Sequence, residues 1–183
     1  MIIFLAIAVL LAIAIAVIFN QLVGMRQMCE NGWSDIEVQL KRRATLIPRL
    51  VSTVKGYASH ERQLFEDITT KRAQTLAAGN DPKARGAAEG QLAQAGGRLL
   101  AIAEDYPDLK ASQNFLDLQD ELSDTEDKIE MARRFYNGAV RELNTKIESV
   151  PSNFIAGPFG FKAKDYFDID AADAAVPNVA FKS

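Results

Sequence analysis

The sequence predicts an all-α protein, in which an N-terminal transmembrane helix continues into a long helical bundle of coiled-coil-like character. Three observations carry this. The first nineteen residues, Met1 to Phe19, hold no charged residue, no Gly and no Pro. Downstream, apolar residues recur in steps of three and four, the spacing of one helical face. No stretch reads as a β-sheet.

A helix of nineteen residues rises about 28 Å, close to the roughly 30 Å hydrocarbon core of a bilayer. A secretory signal would carry basic residues ahead of a shorter apolar core and a small-residue cleavage site after it. Here no Lys or Arg precedes the run, and Asn20 to Gly24 offers no such site. A retained anchor over residues 1–21 is expected, with a cleaved signal as the alternative. Arg26, Lys41, Arg42 and Arg43 follow the run. Positive charge stays inside, so the N-terminus is expected outside and the body in the cytoplasm; Glu30, Asp35 and Glu37 weaken the bias. Ala8, Ala12 and Ala16 share one helical face, and small residues at that spacing let two membrane helices approach closely. The plainer account is that Ala is common in anchors.

About 164 residues follow the apolar run, enough for one domain with a core. A net charge of −3 argues against a general nucleic-acid binder. The single Cys, Cys29, rules out an intrachain disulfide and a Cys-rich metal site. The single His, His60, rules out a multi-His metal site, and any nucleophile–histidine pair would have to use it. Ser59-His60-Glu61 has neither the order nor the spacing of a di-iron Glu-x-x-His motif. No cofactor and no enzymatic activity are expected.

Residues 22–149 read as the helical bundle. Leu22, Met25, Cys29, Trp33, Ile36, Leu40, Ala44, Ile47, Val51 and Val54 form one stripe with no loop signal before it, so the anchor helix runs on. Pro48 predicts a bend rather than a stop, since the stripe continues past it. Gly56 to Ser59 is a candidate break, with Ser59 as an N-cap for a helix carrying Leu64, Phe65, Ile68 and Leu76. Gly79-Asn80-Asp81-Pro82 is a strong turn signal. A helix is expected from Lys83 to Asp105, weakened by Gly86, Gly90, Gly96 and Gly97. The last helix is expected from Asp108 to Ser149, with Phe115, Leu118, Leu122, Ile129, Ala132, Tyr136, Ala139, Leu143 and Ile147 as a seam. Such a helix is too long for a compact globule unless another lies alongside, and the Leu22–Leu76 stretch is the expected partner. Residues 150–183 form a Gly/Phe-rich segment and an acidic tail with Asp165, Asp168, Asp170 and Asp173.

Several strings together resemble the LemA family of bacterial membrane-anchored proteins. They are Trp33 to Arg43, Leu46 to Val51, Val54 to Tyr57 and His60-Glu61, then Tyr106 to Ala111, Phe115, Glu121-Leu122, Glu126, Ile129, Ala132-Arg133, Tyr136-Asn137 and Pro151 to Asn153. The resemblance covers nearly the whole chain. It implies a short membrane helix, an antiparallel helical bundle in the cytosol and a place in the bacterial inner membrane. It brings no enzymatic activity, and some relatives are associated with organelle-like membrane invagination.

Candidate interaction residues follow from position. Lys41, Arg42 and Arg43 spread around about 200° of helix and cannot share one direction. A straight helix from Leu22 lifts them roughly 28 Å, beyond a Debye length of about 8 Å. Ion pairing within the bundle or a partner contact is therefore expected ahead of anionic lipid, unless the helix lies along the surface. Asn137 is expected to bond across helices and fix register, with Arg133 beside it on a face that could meet a protein. Phe154, Phe159 and Phe161 lie in the sharpest candidate segment, which could dip into a bilayer, cap the bundle end or insert into a neighbouring subunit. The leading expectation is a self-associating, membrane-anchored scaffold that contacts lipid and shapes membrane. The alternative is a tethered adaptor or regulator of a soluble protein.

Overall fold

The computed structural model describes residues 1–169, and among them every regular element is helical. The helices are α1 (Ile2–Lys55), α2 (Arg62–Ala77), α3 (Pro82–Ile102), α4 (Pro107–Lys110), α5 (Gln113–Glu148) and α6 (Asn153–Ala156). A 3-10 turn, Ala103–Asp105, follows α3. The all-α expectation holds. Of the acidic tail, Asp170 and Asp173 lie outside the described residues.

The chain divides into two compact units. Among the described residues, one comprises Val38–Ile129 with residues 167–169. Its core gathers Ile47, Leu50 and Val54 from α1, Phe65 and Ile68 from α2, Leu92, Ala95 and Leu99 from α3, then Leu109, Phe115, Leu118 and Leu122. Within this unit α1 and α5 run antiparallel: Arg43 meets Glu126, and further along α1 Thr53 meets Asn114. The turn before α3 forms as expected. Gly79 takes a positive φ of 65°, the Asp81 carboxylate accepts the Ala84 N–H at 2.7 Å, and Pro82 fills the first helical position.

Pro48 does not end α1, which continues to Lys55. A helical proline has no N–H to give the carbonyl four residues back. Here that carbonyl belongs to Ala44, and the Nε of Arg72 on α2 donates to it at 2.9 Å. The proline thus frees an acceptor that docks a second helix.

Three sequence expectations need correction. The last long helix does not begin at Asp108; α4 stops at Lys110 and α5 starts at Gln113. Leu109 and Phe115 are both buried, yet six positions on one straight helix would point them about 120° apart. The interruption lets both reach the core, and the Ser112 carbonyl restarts the ladder by accepting from Phe115 and Leu116. Ser59 does not cap α2; Glu61 occupies that position without a side-chain bond. Leu76 is exposed, because the buried row of α2 runs through Phe65, Ile68 and Thr75. The break at Gly56 is real.

The other unit comprises Met1–Glu37 with Glu130–Tyr166. Leu22, Cys29 and Ile36 of α1 have no solvent exposure, and Tyr136, Val140 and Leu143 of α5 are buried with them. Gly32 permits the close approach, since a Cβ there would stand 2.9 Å from the Phe135 ring and 3.1 Å from the Tyr136 Cα. After α6 the chain runs extended along this unit. Asn144 brackets Lys164, donating to its carbonyl and accepting its N–H, both at 2.9 Å. The Tyr136 hydroxyl donates to the Asp165 carbonyl at 2.9 Å.

Two tests follow. Arg72→Met should lower stability to urea by about 1–3 kcal/mol by orphaning the Ala44 carbonyl; in a Pro48→Ala background, where a backbone N–H returns at position 48, the same change should cost clearly less. Within α3, a Cβ at Gly86 would stand 2.1 Å from the Asp168 carbonyl oxygen, while Gly97 has nothing within 4 Å. Gly86→Ala should therefore destabilise by about 1–3 kcal/mol, and Gly97→Ala should stabilise by up to about 1 kcal/mol, both read from urea midpoints.

Candidate functional site

Residues Met1 to Val17 of α1 are exposed throughout, in the one described helix that is long and apolar enough to cross a membrane. Burial begins gradually at Ile18 and Phe19 and is complete at Leu22. Ala8, Ala12 and Ala16 therefore stand on the exposed stretch, with none of the described residues packed over them.

An aromatic collar surrounds the point where burial begins. The Phe19 ring stands edge-on to Phe159 at 5.1 Å and to Phe161 at 5.7 Å. The Arg26 guanidinium lies over the Phe161 ring at 5.3 Å, a cation–π arrangement. The local sequence explains the shape. The Ser152 hydroxyl bonds back to α5, within 2.6 Å of the Lys146 carbonyl and 2.9 Å of that of Ser149. Gly160 takes a φ of 73°, a conformation costly for other residues, and turns the chain between Phe159 and Phe161. Phe161 is buried, whereas Phe159 is 55% exposed and Phe154 72% exposed. Of the three Phe in this segment, Phe161 alone is buried.

The basic trio on α1 separates by environment. Lys41 is exposed. Arg42 pairs with Glu121 at 3.1 Å and Asp124 at 3.8 Å on the surface. The Asp124 carboxyl is held below the usual range, first by a hydrogen bond from Lys128 and then by the charges of Lys128 and Arg42. Glu130 is lowered in the same way by Arg134. Arg43 has no solvent exposure. It donates to both Glu126 oxygens at 2.9 and 3.0 Å, to the Glu89 carboxylate at 2.5 Å and to the Glu89 carbonyl at 3.3 Å. Arg85 bonds the second Glu89 oxygen at 2.9 Å. Arg133 and Asn137 are half-buried on α5.

Sequence reasoning missed Arg85 and Glu89, and it placed Phe19 and Arg26 at the end of the apolar run without their contacts to Phe159 and Phe161. Glu89 had a signal: it falls in the buried row of α3, followed by Leu92, Gly96 and Leu99 in steps of three and four. Among the described residues no group of three or more His, Cys, Asp or Glu side chains could hold a metal ion.

The LemA family model matches residues 32–181. A magnetosome protein MamQ of Paramagnetospirillum magneticum is 28% identical over 174 residues, covering 81% of this chain and 64% of the relative. A MamQ of Magnetospirillum gryphiswaldense is 27% identical over the same shares. The protein LemA of Metamycoplasma hominis is 29% identical over 137 residues, covering 75% of this chain and 63% of the relative. The chain thus spans just under two thirds of the length of these relatives. None of these names is that of an enzyme.

Arg43→Met should destabilise the protein by about 3–5 kcal/mol, because Glu89 stays buried with only Arg85 to meet it. Arg43→Met combined with Glu89→Leu should recover most of that loss in urea unfolding of the detergent-solubilised protein.

Proposed function

The chain belongs to the LemA family, and from that membership we propose that it is a non-enzymatic, membrane-anchored helical scaffold that acts by self-association. One observation carries the anchoring at the centre of this reading. Within a single unbroken helix, sixteen successive exposed residues, none of them charged, are followed after about one further turn by Leu22 and then by Cys29 and Ile36, which have no exposure at all. An apolar surface of that extent is not stable in water. A bilayer covers it, and the length of the run suits one crossing.

The exposed Ala8, Ala12 and Ala16 face supplies a route for anchors to pair within the bilayer. In this reading the basic residues after the anchor favour a cytoplasmic body, and the family membership supports the bacterial inner membrane. The relatives named as magnetosome proteins support the finer idea that such a scaffold shapes a membrane. Lipid and further copies of the chain are the partners in this reading; nucleic acid has no part in it.

Carbonate washing and crosslinking of native membranes test the two halves separately. The protein should stay in the washed pellet and crosslink into discrete oligomers. Release by carbonate would remove the anchor, while a strictly monomeric species at physiological expression would remove self-association and leave the anchor standing.

A further inference from the structure

We infer that residues 150–161 are a second membrane-contacting element, an aromatic collar that enters the lipid headgroup region beside α1. The inference rests on the anchoring proposed above and deepens it.

Phe19 fixes the level. It is the last residue of the apolar run, and Asn20 and Gln21 are the first polar residues after it. Any placement that buries the run in hydrocarbon leaves Phe19 at the boundary with the headgroups. The Phe159 ring, 5.1 Å away, shares that level. The loop is also not built as a water-facing cap. Such a cap turns its apolar side chains inward, and this one turns in Phe161, Ile155 and Ala156 but leaves Phe154 and Val150 more than 70% exposed. Phe159, 55% exposed, adjoins Phe19 at the edge of the exposed apolar surface of α1.

Two further features suit lipid rather than protein as the occupant. Backbone N–H groups that leave water for the hydrocarbon edge need partners of their own. Here Phe154 donates to Pro151, Ile155 and Ala156 to Ser152, Phe159 to Ile155, Gly160 to Gly157, and Phe161 to Ala156. These six N–H groups are satisfied within the segment itself, so they can leave water without losing partners. Then Arg26, held over Phe161, and Lys162, the next residue along, set cations just past the aromatic band. Aromatic rings at the interface with basic groups beside them match the layering of hydrocarbon edge and phosphate.

The test uses full-length protein in phosphatidylcholine vesicles whose lipids carry bromine at a shallow or a deep acyl position. The native Trp33 is replaced by Phe, and one reporter is introduced per variant: Phe154→Trp, Phe159→Trp, Leu10→Trp as an anchor control, or Met131→Trp as a control on exposed α5 surface. Circular dichroism confirms that each variant keeps its helices. Phe154→Trp and Phe159→Trp should emit at shorter wavelength in vesicles than Met131→Trp and be quenched more by shallow than by deep bromine. Leu10→Trp should be quenched most by deep bromine. If the two loop reporters are quenched no more than Met131→Trp while Leu10→Trp is quenched, the collar faces water or protein and the inference falls with the anchor intact. If Leu10→Trp also escapes quenching, the anchoring itself is wrong.

Discussion

A guanidinium sealed from water has to be met by carboxylates, and Arg43 makes that demand at the centre of its unit. Its partners come from two other helices: Glu89, itself buried, from α3 and Glu126 from α5. Arg85 completes the set by holding the outer oxygen of Glu89. A slide of one turn along any of these helices would carry a charge about 5.4 Å from its partner, which is prohibitive without solvent. An apolar core of equal volume could match this network in stability. What the charges add is discrimination between registers, which leucines alone tolerate poorly defined. The Pro48–Arg72 device works alongside it, since the acceptor that proline frees on α1 can be satisfied only when α2 is in place.

The other unit is organised by shape and by ring contacts. Gly32 lets α1 approach α5 closely, and Trp33 meets Tyr136 with ring centres 5.5 Å apart. This pairing brings the end of α5 back to the point where α1 becomes fully exposed, and α6 and its loop close around Phe19 there. The collar is thus a result of helix length: α5 ends where the chain must turn, beside the last rings of the apolar run.

Long-range periodicity made the helices legible in the sequence. The stripe from Leu22 to Val54 is largely buried as expected, and the Gly79–Pro82 turn announced itself through residues with local conformational preferences. What escaped was polar pairing between distant segments. Arg43 belongs to a row with Ile36, Leu40, Ile47, Leu50 and Val54, in alternating steps of four and three. Taken as one of three neighbouring bases it looked like surface charge. Only the matching acidic intruder in the buried row of α3 would have revealed it. The interruption at Ala111 and Ser112 left no trace either, because neither residue breaks helices and the apolar repeat carries on beyond it. In the Gly/Phe-rich segment composition identified the residues, but not that a turn at Gly160 would set both Phe159 and Phe161 against Phe19.

The bracket made by Asn144 has an implication for how this protein can vary. It grips Lys164 by main-chain atoms only, and Tyr136 likewise takes hold of Asp165 through its carbonyl. Lys164 adds a side-chain pair to Glu30 of α1, but its exposed neighbours Lys162, Ala163, Asp165 and Tyr166 can be rewritten in charge or bulk, and a new surface displayed there, while the track beneath them stays laid by two residues of α5.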